Sequence, residues 1–165
     1  MKILVVDDNS VHQDAAKAQL KDHDLTVIES YAKAEELLRK ACEYEVVLVD
    51  LLMPASERLQ GEGMRYVGQE MPIGIFLALL AAKGGAKYVA VFTDSNRHAH
   101  PASACVDAFT CSSPSGLSEP KRFIVEKATM ILSNTQYWID RSFSDDGSTY
   151  ISVKNWSKLL DFLLA

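Results

Sequence analysis

Three short apolar runs in the sequence each end at a polar residue that can bind a ligand. Such runs, rich in β-branched and aliphatic residues, are typical of central strands in a parallel sheet. The carboxyl ends of parallel strands meet at one edge of the sheet, where ligands bind. The sequence therefore predicts that the residues after the three runs converge. The runs and the residues that follow them are Lys2 to Val6 with Asp7-Asp8, Val46 to Val49 with Asp50, and Tyr88 to Phe92 with Thr93.

Helical patterns separate the apolar runs, so the chain alternates between strand and helix as far as residue 93. A helix follows Ser10, a second strand is predicted at Leu25 to Ile28, and residues 31 to 43 carry an apolar stripe at helical spacing. Because strands that alternate with helices pair in parallel, we expect an α/β fold with a doubly wound, five-stranded parallel sheet. The fifth strand is either Ala108 to Cys111 or Ala128 to Leu132, and the later run is favoured because it is more apolar.

Two segments interrupt this alternation. Residues 55 to 70 are polar and contain three glycines, which predicts an irregular excursion inserted after the third strand. Residues 112 to 154 form an atypical region before a final helix, which is predicted by the apolar stripe from Trp156 to Leu164. A chain of 165 residues has the length of one domain. We therefore expect a single domain over residues 1–165, with an inserted loop and an irregular C-terminal part.

The charge and composition of the chain exclude several classes of protein. The formal net charge is -5, whereas binding to nucleic acid or to an anionic membrane needs a basic face, so neither partner is expected. The longest apolar run, Met71 to Ala82, is broken by Pro72 and Gly74, and a membrane-spanning helix needs about 20 apolar residues. Three cysteines at no disulfide spacing, and a first apolar run too short for a signal peptide, predict a cytoplasmic protein.

Asp7, Asp8 and Asp50 are the candidate metal ligands. Two unit charges about 4 Å apart repel by roughly 4 kcal/mol at an effective dielectric constant near 20, so clustered carboxylates need a proton or a cation. Hard oxygen ligands without His or Cys at the same strand ends favour Mg²⁺. Once the charge is neutralised, one carboxylate can attack a phosphoryl group and form an acyl phosphate, and the Thr93 hydroxyl can donate a hydrogen bond to it.

Taken together, the motifs at the three strand ends resemble the receiver domain of two-component response regulators. The resemblance lies in Ile3 to Asn9, Val47 to Pro54 and Val89 to Thr93, and it fades after residue 95. It implies a flavodoxin-like receiver architecture and a phosphoryl donor that is a histidine kinase or a phosphotransfer protein. It also implies a role for each site residue: Asp50 as phosphoacceptor, Asp7 and Asp8 as Mg²⁺ ligands, the backbone carbonyl of Leu52 as a further ligand, and Thr93 as a donor to the phosphoryl group.

The chain departs from the receiver pattern at one important position. Receivers carry a Lys-Pro pair after the fifth strand, and its lysine pairs with the phosphoryl oxygens. The nearest analogue here, Ser113-Pro114, offers no cation, nor does Ser133-Asn134 after the later candidate strand, while Lys121 and Lys127 lack the expected context. Three functions therefore stay open: a stand-alone receiver phosphorylated at Asp50, a receiver-like interaction module that is not phosphorylated, and a metal-dependent hydrolase that uses the same aspartates.

A second group of residues has the chemistry of a zinc site. His98, His100, Cys105 and Cys111 could together supply four ligands, and Asp94 could join the two histidines in an alternative site. Their spacing matches no common structural zinc site. Exposed loop histidines are the alternative interpretation, so the sequence leaves metal binding by His98 and His100 open.

Overall fold

The computed structural model describes residues 1–40, 42–55, 61–112, 118–143 and 149–165. These ranges contain five α-helices: α1 (Ser10–Gln19), α2 (Tyr31–Lys40), α3 (Gly74–Gly84), α4 (Pro101–Val106) and α5 (Trp156–Leu164). They also contain twelve β-strands: β1 (Lys2–Val6), β2 (Asp24–Ile28), β3 (Val46–Val49), β4 (Met53–Pro54), β5 (Glu70–Met71), β6 (Tyr88–Phe92), β7 (Thr110–Ser112), β8 (Ser118–Pro120), β9 (Phe123–Val125), β10 (Ala128–Ser133), β11 (Ile139–Phe143) and β12 (Tyr150–Lys154).

A mostly parallel sheet of six strands, in the order β2-β1-β3-β6-β10-β9, forms the centre of an α/β fold. The prediction that Ala128 to Leu132 forms a sheet strand is confirmed, because β10 pairs in parallel with β6. The alternative run instead contributes to β7, which pairs antiparallel with β8 outside this sheet. The sequence predicted five strands in this sheet, whereas the structure has six. A tight turn at Glu126-Lys127, with Glu126 at a φ of 54°, returns the chain antiparallel, so β9 joins the edge of the sheet beside β10.

Helices pack on both faces of the sheet, and each face has its own apolar core. Along β1, Ile3 and Val5 point to one face while Leu4 and Val6 point to the other, as the twofold period of a strand requires. The first face packs against α1 and the apolar stripe of α5, whose prediction as the final helix is confirmed. The second face packs against α2, α3 and α4. Strands buried on both faces are apolar at every position, which is why the three runs stood out in the sequence.

Helix α3 begins against the backbone that carries Asp50. The amide of Gly74 donates to the carbonyl of Leu51 over 3.1 Å. A β-carbon at Gly74 would lie 1.7 Å from the carbonyl oxygen of Asp50, so this position has no room for a side chain. The helix spans Gly74–Gly84, and it ends at Gly85, which adopts a left-handed φ of 104°.

The segment after β3 is more regular than its composition predicted. Its two ends pair as the antiparallel strands β4 and β5, and a 3₁₀-helix spans Gly61–Tyr66 between them; residues 56–60 lie outside the described part. Pro54 pairs with Glu70, and Ala55 forms a parallel bridge with Val67. The segment therefore returns to the sheet edge where it began, and it brings Glu70 beside the ends of β1 and β3.

Residues 112 to 154 also contain more order than the sequence indicated. After β9 and β10, a short 3₁₀-helix (Gln136–Trp138) leads into an antiparallel pair, β11 and β12, that stands apart from the central sheet. Strand β12 ends at Lys154, and α5 begins two residues later at Trp156. Ser113-Pro114 lies outside the described residues. Within the described ranges, no helix has the length and apolar character needed to cross a membrane.

Candidate functional site: an acidic pocket with a buried lysine

The ends of β1 and β3 place two aspartates side by side in the interior. The amide of Asp50 donates to the carbonyl of Val6 over 2.8 Å, so the pairing of the strands continues into the site. Asp7 is fully buried and Asp50 is 6% exposed, whereas Asp8 is exposed. Ligand oxygens of Asp7, Asp8 and Asp50 all lie within 4.8 Å of one another. The structure therefore brings together the three carboxylates that the sequence predicted at this edge.

A cavity of about 270 Å³ opens above these carboxylates. Asp8, Asp50, Leu52 and Thr93 contribute to its wall, as the positions of the strand ends predict. The Thr93 side chain is 1% exposed, and its oxygen accepts a hydrogen bond from the amide of Ser95 over 3.2 Å. The hydroxyl proton of Thr93 is left to donate. Four further side chains with ionisable groups line the cavity: His12, Glu70, Asp94 and His100.

Lys154 supplies the cation that the sequence interpretation did not find. Its ammonium lies 2.7 Å from Oδ2 of Asp7 and 2.9 Å from Oδ1 of Asp50, and its side chain is completely buried. Neither Lys121 nor Lys127 takes this place. The lysine comes from the end of β12. Strand β11 lies between β10 and β12 in the chain, so the lysine does not directly follow the fifth parallel strand. The sequence carries no signal for its burial, since Lys154 ends a short strand and is followed by Asn155, which caps α5.

The buried charges shift one another's proton affinities. Burial raises the pKa of Asp50 to about 7, although the Lys154 charge opposes that rise. Burial by itself lowers the pKa of the Lys154 ammonium, but the charges of Asp50 and Asp7 together outweigh it and hold the pKa above its usual value. Lys154 is therefore charged at neutral pH. One ammonium between two carboxylates still leaves this buried group with an excess of negative charge when Asp50 is ionised.

The donor set of the pocket fits a hard divalent cation. Oδ1 of Asp50 is buried without a hydrogen-bond partner among the described residues, and it forms an ion pair with the Lys154 ammonium 2.9 Å away. Asp7 uses Oδ2 for Lys154 and Oδ1 for the amide of Asn9, 2.9 Å away. Asp7, Asp8 and Asp50 would hold Mg²⁺, and Leu52 lies in the same wall. A cation bound there must share the Asp7 and Asp50 oxygens with the lysine.

Other acidic groups add to the negative charge around the cavity. Partial burial, together with the charges of Asp7 and Glu70, raises the pKa of Asp8. A hydrogen bond from His12 lowers the pKa of Asp94, whose Oδ2 lies 3.3 Å from Nε2 of the imidazole. His12 is a buried residue that the sequence interpretation did not consider. No signal in the sequence separates it from an ordinary helix residue.

The proposed zinc ligands do not form a cluster. Among the described residues, the only group of three or more potential ligands that converges is Asp7, Asp8 and Asp50. His100 instead caps α4, because its Nδ1 accepts a hydrogen bond from the amide of Ala102 over 3.1 Å. Cys105 and Cys111 are both free and exposed thiols. The structure thus gives no geometric support to a zinc site at His98 and His100.

Tryptophan fluorescence should report cation binding at this site. The Lys154 ammonium lies 5.5 Å from the centre of the Trp156 ring, within range of a cation–π contact. A Mg²⁺ ion bound by Asp7 and Asp50 would compete with the ammonium for their oxygens, so addition of Mg²⁺ should move the ammonium and produce a saturable change in Trp156 emission. The measurement uses a Trp138→Phe background, since Trp138 is the other tryptophan of the chain. An Asp7→Asn variant in that background serves as control and should lose most of the response.

Comparisons with known proteins leave the site to be interpreted from its own geometry. No model of a known family matches the chain, and no curated protein or solved structure matches it either.

Proposed function

We propose that this protein is a single-domain receiver that accepts a phosphoryl group at Asp50, with Mg²⁺ as cofactor, in two-component signal transduction. The observation that carries the proposal is the buried Lys154 ammonium between Asp7 and Asp50, in a pocket that Thr93 also lines. A lysine at this place was the missing part of the receiver pattern. The proposed donor is a histidine kinase or a phosphotransfer protein of the cytoplasm, and the output goes to a separate protein partner.

The order of the strands supports the same proposal. When only the parallel strands are counted along the chain, their spatial order is 2-1-3-4-5, which is that of a doubly wound, flavodoxin-like sheet. In such a sheet the ligand site lies where the order reverses, here between β1 and β3. Asp7 and Asp50 follow these two strands.

In the proposed reaction each residue of the pocket has a distinct role. An Asp50 oxygen attacks the phosphorus in line with the donor nitrogen, the new P–O bond forms as the P–N bond breaks, and the donor imidazole leaves with the electron pair. Bound Mg²⁺ would supply charge neutralisation for the phosphoryl oxygens. The Lys154 ammonium already lies 2.9 Å from Asp50, so it can turn to a phosphoryl oxygen with little movement. Thr93 donates its free hydroxyl proton to another.

Incubation with acetyl phosphate and Mg²⁺ tests the proposal. The intact protein should gain the mass of one phosphoryl group, and Asp50→Asn should gain none. Glu70→Gln is the matched control, because Glu70 is an exposed carboxylate on the wall of the same cavity and should leave labelling nearly unchanged. Equal labelling of wild type and Asp50→Asn, or no labelling of wild type under conditions where Mg²⁺ binds, would contradict the proposal.

The two alternative functions have less support. The absence of a lysine was the argument for a receiver-like module that is not phosphorylated, and Lys154 removes that argument. A metal-dependent hydrolase needs a group that activates water, and the carboxylate of Asp94 on the cavity wall is one candidate. The lowered pKa of Asp94 makes it a weak base, however. Hydrolysis of a generic phosphate ester that requires Asp94 would favour the hydrolase over the receiver.

A further inference from the structure

Helix α1 binds both backbone polar groups of Lys154. The amide of Lys154 donates to Nδ1 of His12 over 3.4 Å, and its carbonyl accepts from Nε2 of Gln19 over 3.3 Å. Gln19 also accepts from the amides of Trp156 and Ser157 at the start of α5. Because His12 and Gln19 are seven residues apart, they lie on the same face of α1. The lysine is therefore fixed by the helix as well as by the carboxylates.

The hydrogen bonds of His12 indicate a different role for each ring nitrogen. Nδ1 accepts the Lys154 amide proton, so it carries a lone pair, and Nε2 must hold the ring proton that is donated to Asp94. The ring is 2% exposed. The indole of Trp156 donates to the carbonyl of His12 over 2.8 Å, which anchors the residue from a third direction. The imidazole is thus held between two segments that reach the cavity separately.

The two segments that His12 joins are the ones that carry the donors of the pocket. On one side is Lys154. On the other side is Asp94, which directly follows Thr93. The backbone carbonyl of Asp94 accepts a hydrogen bond from the side chain of Gln136 over 3.2 Å. No hydrogen bond or ion pair among the described residues links the Lys154 ammonium to Thr93 directly. The imidazole instead joins the backbone amide of Lys154 to the side chain of Asp94, the residue that follows Thr93.

We propose that His12 is a positioning residue, whose imidazole holds the Lys154 backbone so that the ammonium faces Asp50 and ties it to the Thr93-Asp94 segment. This inference rests on the proposed function, because it assigns His12 a part in phosphoryl transfer to Asp50. His12 itself does not touch the reacting atoms in this assignment. Its effect comes through Lys154.

Two isosteric substitutions separate the two hydrogen bonds of the ring. The side-chain oxygen of Asn can take the place of Nδ1 and accept from Lys154, while the side-chain nitrogen of Gln can take the place of Nε2 and donate to Asp94. His12→Asn should therefore retain labelling by acetyl phosphate within about threefold of wild type. His12→Gln and His12→Leu should slow it at saturating acetyl phosphate by tenfold or more, since a misplacement of about 1 Å can reduce a rate about 100-fold.

A double variant tests whether the effect passes through Lys154. If it does, His12→Leu combined with Lys154→Met should label no more slowly than Lys154→Met alone. Additive losses, or equal rates for His12→Asn and His12→Gln, would overturn the inference. Thermal unfolding of each variant shows whether a slow rate reflects loss of folded protein, and the rates are compared at equal folded fraction.

A separate readout distinguishes failure of this inference from failure of the proposed function. The Lys154 ammonium lies 5.5 Å from the Trp156 ring, so Trp156 emission in the Trp138→Phe background should respond to its position without any phosphoryl transfer. His12→Asn should preserve the Mg²⁺-dependent change in emission, and His12→Gln should alter it. If wild type is not labelled but this difference is observed, the proposed function fails while the positioning role stands. If wild type is labelled and the emission of the two variants is the same, the positioning role fails.

Discussion

Replacing Lys154 with methionine should destabilise the protein by about 3–5 kcal/mol in the absence of divalent cations, the range found when one partner of a buried ion pair is removed. Methionine fills a similar volume beside Phe92 and Trp156, so the change removes charge more than packing. Asp7 and Asp50 then face each other, buried, with no cation between them. Urea unfolding in the presence of a chelator measures the loss. Lys158→Met is the matched control, because Lys158 is 53% exposed on α5 and should change the free energy of unfolding by less than about 1 kcal/mol.

The loss of stability caused by Lys154→Met should increase as the pH rises. Without the ammonium, the pKa of Asp50 in the folded state rises further above its value in the unfolded chain. A carboxyl group with a raised folded-state pKa contributes stability below its unfolded pKa and loses that stability as the pH rises through the folded value. The deficit of Lys154→Met should therefore be small near pH 4 and grow as the pH rises beyond about 7, where Asp50 of the wild-type protein already titrates.

Added Mg²⁺ should stabilise Lys154→Met more than it stabilises wild type. In the variant the cation no longer shares the Asp7 and Asp50 oxygens with an ammonium, so its affinity should increase. A ligand at 100 times its dissociation constant stabilises the folded state by about 2.7 kcal/mol. A variant as stable as wild type in chelator at pH 8 would show that Lys154 is not the counter-ion of this site, and a variant that Mg²⁺ does not stabilise would contradict cation binding by these carboxylates.

The sequence was sufficient to predict the part of the site that lies at the ends of buried strands. Asp7 and Asp50 directly follow runs that are apolar on both faces. Because such strands pair in parallel, the pattern alone predicts that their ends lie together. Thr93 follows for the same reason. These positions depend on the period of the hydrophobic pattern and on the pairing of neighbouring strands, both of which can be read locally.

Lys154 could not be placed in the same way. The strand that carries it belongs to a separate two-stranded sheet that mixes polar and apolar residues, most of them exposed or half-buried, so no buried apolar run marks it. A lysine at the end of such a strand reads as a solvated surface residue. Its burial arises from tertiary contacts with α1, Phe92 and Trp156, which depend on how the β11–β12 pair is placed rather than on nearby residues. Glu70 escaped prediction because its place depends on the pairing of β4 with β5.

Gly74→Ala should have the other large effect, because it changes the backbone that supports Asp50. The new β-carbon would lie 1.7 Å from the Asp50 carbonyl oxygen and 2.8 Å from its carbonyl carbon, and neither is a flexible side-chain atom. Either α3 moves away from the sheet or the Asp50 segment shifts. Overpacking of this kind costs about 1–3 kcal/mol and occasionally more, and we expect the upper end because backbone must move. Urea unfolding should show this loss.

Gly74→Ala should weaken Mg²⁺ binding as well as lower the free energy of unfolding. A shift of the Asp50 backbone displaces its carboxylate from Asp7 and Lys154, so Gly74→Ala protein that remains folded should bind Mg²⁺ at least tenfold more weakly, as titration calorimetry would measure. Gly85→Ala is the matched control on the same helix. Its β-carbon would meet nothing within 4 Å, but its φ of 104° strains an alanine by roughly 1–2 kcal/mol, so it should lose stability and keep Mg²⁺ affinity. Equal Mg²⁺ affinity in the two folded variants would mean that the contact at Gly74 supports the fold alone and does not set the position of Asp50.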